Sequence, residues 1–129
     1  MSSTANVLNL ILSFQASVKM MHWMTSTYGH HRALDELHAA IGAHGDRLAE
    51  TLIAVAPPGR LANTPKGAAE LQAKFANLYT PRQSCVVTLR AMHDHLVDEV
   101  RPRLPDEIAR SILDDIVNAV RSCMYLCAM

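Results

Sequence analysis

His22, His31 and His38, together with Asp35, Asp46 and Glu50, are the residues whose types and spacing fit chemistry in this chain. Neutral imidazoles beside carboxylates form the ligand set of non-haem iron, zinc or manganese sites. On a helical wheel of 100° per residue with His31 at the origin, Asp35, His38, Asp46 and Glu50 fall between about −20° and about 100°. The apolar stripe of the same segment centres near about −90°. A band of imidazoles and carboxylates therefore borders the buried face instead of opposing it. His22 sits beside Trp23 near the end of the preceding segment. Each residue also has a plainer reading. His22 fits a partly buried core histidine, and Asp46 and Glu50, spaced i and i+4 around Arg47, fit a solvated helix face.

Spacing constrains how these groups could meet. His31 and Asp46 are fifteen residues apart, about 22 Å along a helix at 1.5 Å per residue. No single ion spans that distance within one chain. Two copies of the helix crossing antiparallel would place His31 of one against Asp46 and Glu50 of the other. The crossing would fall at Ala39-Ala40-Ile41-Gly42-Ala43, small residues that let helix axes approach. Such an isologous two-fold contact creates two equivalent metal sites per dimer.

Helices must position these groups. Val7, Leu8, Ile11, Phe14, Val18 and Met21 recur at spacings of three and four and predict a first helix from about Thr4 to about Thr27. Ser26-Thr27-Tyr28-Gly29 reads as a break. A second helix from about His31 to Val55 carries Leu34, Leu37, Ile41, Leu48, Leu52 and Val55, and Pro57-Pro58-Gly59 ends it. The connection that follows holds one short helix, roughly Lys66 to Leu78. Thr80-Pro81-Arg82-Gln83 has the form of a capping box with proline at the first helical position. The third helix runs through Cys85, Leu89, Met92, Leu96 and Val100, and the fourth through Ile108, Ile112, Ile116, Val120, Met124 and Cys127. The expected fold is all-α, a ferritin-like four-helix bundle in one domain over 1–129. Its long helix 2–helix 3 connection returns the chain along the bundle, so that helices two and three run parallel.

His22-Trp23, then His31, then Asp46-Arg47-Leu48-Ala49-Glu50 resembles the signature of the Dps family of mini-ferritins. That family has an HW pair on its first helix, a histidine on its second and a D-x-L-A-E turn further along. The run Arg32-Ala33-Leu34-Asp35-Glu36-Leu37 resembles the family's segment around the second histidine. The match covers roughly residues 14 to 55. The interval from His22 to His31 is shorter than is usual in the family, and the lysine-rich tail is missing, so DNA binding is not carried over. The resemblance implies His22 and His31 as ligands from one subunit and Asp46 and Glu50 from its partner, with Asp35 and His38 as accessory or supporting groups. It implies a mono-iron or di-iron site between subunits where Fe(II) is oxidised to Fe(III) by peroxide or dioxygen. Ferric iron would be stored in a hollow homo-oligomer, a dodecameric shell. Trp23 would intercept stray one-electron oxidants.

Composition sharpens these expectations. Twelve Lys+Arg balance twelve Asp+Glu, whereas a dedicated nucleic-acid binder carries a basic patch or tail. Three cysteines without CxxC spacing argue against a disulfide framework and for a reducing, cytoplasmic setting. Met1 to Val18 has no charge and too many polar interruptions for a signal peptide or a membrane span. An intrasubunit di-iron centre would need Glu-x-x-His on two helices and a glutamate on each of the others; the first helix has no carboxylate, and no Glu-x-x-His occurs. Met20, Met21 and Met24 read as core, Cys123 and Cys127 as apolar filler or an oligomer contact, and His93 and His95 as an exposed polar face. The rival to a ferroxidase is a non-enzymatic helical assembly protein that kept the bundle and the dimer contact without the metal chemistry.

Overall fold

The computed structural model describes residues 3–55 and 84–128, and every regular element among them is helical. Helix α1 spans Ser3–Met24, α2 Tyr28–Val55, α3 Cys85–His95 and α4 Glu107–Ala128. The described residues thus form an all-α bundle of four helices. The expected short helix at 66–78 and the capping box at Thr80 to Gln83 lie outside the described residues. Ser84 is the N-cap of α3 and accepts a hydrogen bond from the Val87 N–H at 3.3 Å, satisfying one of the donors that a helix start leaves unpaired. Asp106 does the same for α4, accepting from the Ala109 N–H at 2.9 Å.

Contacts between helices fix their directions. Ile11 approaches Gly45, Gln15 approaches His38, and His22 approaches His31, so α1 and α2 are antiparallel. Arg47 of α2 reaches Asp115 at 3.4 Å, while the charge of Glu36 is felt at Cys123, so α2 and α4 are antiparallel. Arg121 donates from Nε to His93 Nε2 at 2.8 Å. Arg101, just beyond α3, binds Asp114 through Nε–Oδ1 at 2.9 Å and Nη2–Oδ2 at 3.2 Å. That hydrogen bond, and then the charge of Asp114, hold the guanidinium's proton still more tightly than usual. Helices α3 and α4 are therefore antiparallel as well, and α2 and α3 run the same way.

The helix periodicity delivers the core. Val7, Ile11, Phe14, Val18 and Met21 of α1 meet Leu34, Leu37, Ile41, Leu48 and Leu52 of α2, with Leu89, Met92, Ile112, Ile116 and Val120 from the other pair. Val55 and Ile108, expected in the apolar stripes, are exposed because they stand at helix ends. Met21 is buried, but Met20 and Met24 are exposed. They lie off the buried face by the helical rotation of roughly 100° per residue. After His95 the third helix widens into a π-turn, Leu96–Val100, and closes as a 3-10 turn, Arg101–Arg103. Pro102 lacks an N–H, and its ring would strike the carbonyl four residues back in a regular helix; the wider turn gives it room.

Two glycines let α1 and α2 approach. A Cβ on Gly42 would stand 2.7 Å from Gln15 Nε2, and one on Gly45 would stand 3.0 Å from Ile11 Cγ2. Gly42, read from sequence as part of a contact with a second copy, thus faces a helix of its own chain, while Ala39 and Ala43 remain exposed. Gly45→Leu should destabilise the fold by about 1–3 kcal/mol through overpacking against Ile11. Gly42→Ala should be close to neutral, because alanine's helix preference of about 1 kcal/mol offsets displacement of the flexible Gln15 end. Urea denaturation of both variants checks the pair, and a Gly45→Leu midpoint at or above wild type would contradict the close packing.

Candidate metal centre

The site begins with the turn between α1 and α2. The Thr25 N–H donates to the Met21 carbonyl at 3.0 Å, and the His31 N–H donates to the Thr27 carbonyl at 2.9 Å. The break is only 25–27, so Gly29 lies inside α2 and not in the turn. A turn this short folds the end of α1 directly onto the start of α2 and brings together the two histidines that are nine residues apart.

Their rings stack with centroids 3.7 Å apart at an interplanar angle of 27°. His22 Nδ1 donates to the His31 carbonyl at 2.8 Å, and His31 Nδ1 donates to the His22 carbonyl at 2.9 Å. A carbonyl oxygen can only accept, so each Nδ1 carries a proton. In the neutral rings the lone pair is then on Nε2. A histidine held by Nδ1–H on a carbonyl with Nε2 open is the arrangement that orients a metal ligand. His22 is buried, at 8% exposure, and His31 is exposed.

Asp35, one helical turn after His31, places Oδ1 3.8 Å from His22 Nε2 and 3.8 Å from Lys19 Nζ. Lys19 was not singled out by sequence reasoning. The available signal was its position one turn before His22 on α1, which puts an ammonium beside any charge the histidines and Asp35 gather. The pair of histidines and Asp35 form one cluster; the other candidates stand apart from it. His38 is half-buried two turns further along α2, and its carbonyl accepts a weak bond from Gln15 at 3.5 Å. The side chains of Asp46 and Glu50 are exposed and make no hydrogen bond or ion pair to any described residue. Asp46 borders a groove between α1 and α2 with Ile11, Leu12 and Gln15. Trp23 is 68% exposed, next to the cluster in sequence but on the outer face of α1. Among the described residues, no three His, Cys, Asp or Glu side chains converge as a group able to hold a metal ion.

His93 and His95 depart from the expected exposed face. The side chain of His93 is only 15% exposed, held between Asp94 Oδ1 at 2.9 Å and Arg121 at 2.8 Å. His95 packs edge-on against Phe14, with ring centroids 6.3 Å apart. Both lie at helix–helix contacts, which the acidic residues around them in sequence concealed. Cys123 and Cys127 are buried as expected, yet they are also paired to each other.

No helix among the described residues is long and apolar enough to cross a membrane. Set against known proteins, the chain matches no family model, no curated protein and no solved structure.

Proposed function

We propose that this protein is a Dps-like ferroxidase that oxidises Fe(II) with peroxide or dioxygen at sites shared by two copies of the chain and stores the ferric product. The observation that carries this reading is the reciprocal lock of His22 and His31. Two imidazoles are fixed by each other's backbone carbonyls with both Nε2 atoms left for another partner, and a carboxylate stands beside one of them. That is half of an iron site. Asp46 and Glu50, exposed on the same helix, supply the other half when a second α2 crosses antiparallel. The parallel course of α2 and α3 fits the one-crossover plan of a ferritin-type bundle, and a dodecameric shell is the assembly we infer.

Iron enters this scheme as substrate. Imidazoles hold Fe(II) with open positions, and carboxylates favour the harder ferric product. Two Fe(II) ions each give one electron to a peroxide, whose O–O bond breaks; two protons are taken up and two waters leave. Lys19 and Asp35 would balance charge at the histidines, with His38 as an accessory group along the helix. Trp23, exposed next to His22, is placed in sequence to take a stray one-electron oxidant.

The test is anaerobic addition of Fe(II) to the purified protein, followed by peroxide, with ferric product followed by absorbance. We expect oxidation well above the buffer rate and elution as a large oligomer; a rate equal to buffer would overturn the reading. The rival, a purely structural assembly protein, is favoured by one observation: Leu12, Met20 and Trp23 form an exposed apolar face on α1. It predicts a large oligomer with no acceleration of iron oxidation. The balanced charge of the chain counts against a DNA partner in either case.

A further inference from the structure

We propose that the sulfur cluster where the α1–α2 turn meets α3 and the end of α4 binds monovalent copper, with Cys123 and Cys127 as paired thiolate donors and Cys85 as the third. Cys123 Sγ and Cys127 Sγ are 3.9 Å apart, one turn apart on α4, and both residues are buried. Two sulfurs each about 2.3 Å from one closed-shell ion stand roughly 3.8–4.0 Å apart at tetrahedral to trigonal angles. The pair already has that separation.

A disulfide is the obvious competing use, and helix geometry opposes it. Cβ atoms at i and i+4 are about 5–6 Å apart on a helix, whereas a disulfide requires about 3.5–4.5 Å. Oxidation of this pair would unwind α4, but an ion between the sulfurs would not.

The surroundings select a soft ion. A cavity of about 320 Å³ is lined by Met21, Met24, His30, Cys85 and Cys127, together with the hydroxyl-bearing turn residues. Its wall has thioethers, the thiols of Cys85 and Cys127 and one imidazole but no carboxylate, and Cys123 lies behind it against Cys127. Thiolate and thioether donors favour Cu(I) over hard cations. Cys85 is half-buried at the first position of α3, and the three cysteines lie close enough to influence one another's charge. The three are not yet in ligand geometry, so Cys85 joins the pair by a side-chain rotation toward the cavity it already lines.

Proton balance follows from the same contacts. The hydrogen bond to Cys127, and then burial, push the Cys123 thiol well up; burial, and then the charge of Cys127, push up Cys85; the hydrogen bond from Cys123 pulls Cys127 down. One proton leaves for each thiol that becomes a thiolate on the ion. Copper remains Cu(I), and no electron is transferred.

The experiment is an anaerobic competition between the folded protein and a chromogenic Cu(I) chelator, bathocuproine disulfonate. Wild type should withhold a single equivalent per chain, and Cys123→Ala/Cys127→Ala should withhold none. Asp46→Ala should retain the full equivalent, so failure of the iron reading leaves this result intact. If the double variant does not fold, alkylation of wild type settles the matter, because Cu(I) should shield Cys85 and Cys127 from iodoacetamide. Three outcomes would overturn the proposal: no copper withheld by wild type, retention undiminished in the folded double variant, or retention of Zn(II) in place of Cu(I).

Discussion

His31→Ala and Asp46→Ala should each slow peroxide-driven Fe(II) oxidation by at least about ten- to a hundredfold, the loss caused even by groups that merely orient a metal ligand. His31 is one of the two locked imidazoles, whereas Asp46 is fifteen residues away on the same helix and has no internal role among the described residues. Within one chain there is no physical reason for the two losses to match. They match only if the carboxylate of one copy completes the histidine pair of another. Mixing the two inactive variants, unfolding and reassembling them together, then gives a decisive result. Half of the dimers pair one variant with the other, and one of the two sites in each such dimer regains both groups. About a quarter of the sites should recover under two-fold symmetry. Recovery of activity on mixing establishes the shared site. Two active single variants, or two inactive ones that stay inactive after confirmed reassembly, contradict it.

Phe14→Ala should cost about 3–5 kcal/mol of stability, the usual price of deleting a fully buried aromatic ring. Phe14 is 1% exposed. It fills the space between α1 and its neighbours and packs against the edge of His95. Removing it leaves a void that the helices cannot close without moving α1, and the histidine pair hangs from the end of α1. Iron oxidation should therefore fall together with stability in this variant. Chemical denaturation followed by circular dichroism measures the first effect. A loss below about 1 kcal/mol would mean that the site collapses around the missing ring.

The histidine pair shows how far sequence could go. Resemblance to the Dps signature named His22 and His31 as ligands from one subunit, while the residues alone placed His22 only close to the turn that leads into the second helix. The short interval counted as a departure from the family pattern. In the structure, the turn is 25–27 and the same shortness presses the rings into a stack. The carbonyl locks were not legible, since they depend on the register of α1 against α2 to within a fraction of a helical turn. Lys19 was overlooked for the same reason: a lone lysine on an apolar helix has no signature until Asp35 is placed beside it.

The four helices were determined by the local pattern of apolar residues, which recurs every three or four positions and needs no knowledge of partners. Helix faces that contact several neighbours were not. His93 and His95 look solvated beside Asp94, Asp98 and Glu99, yet Arg121 and Phe14 arrive from other helices to cover them. Gly42 looks like a surface for a second copy until α1 occupies it. Cys85 and Cys127, far apart in sequence, line one cavity only because α3 and α4 run antiparallel. Among the described residues, sequence by itself determined which segments are helical and which side chains are of a type that could do chemistry, because periodicity and residue type are local properties. Tertiary structure alone decided which of those side chains meet, because contact depends on the rotation and register of whole helices, set by the sum of many small packing contacts across the core.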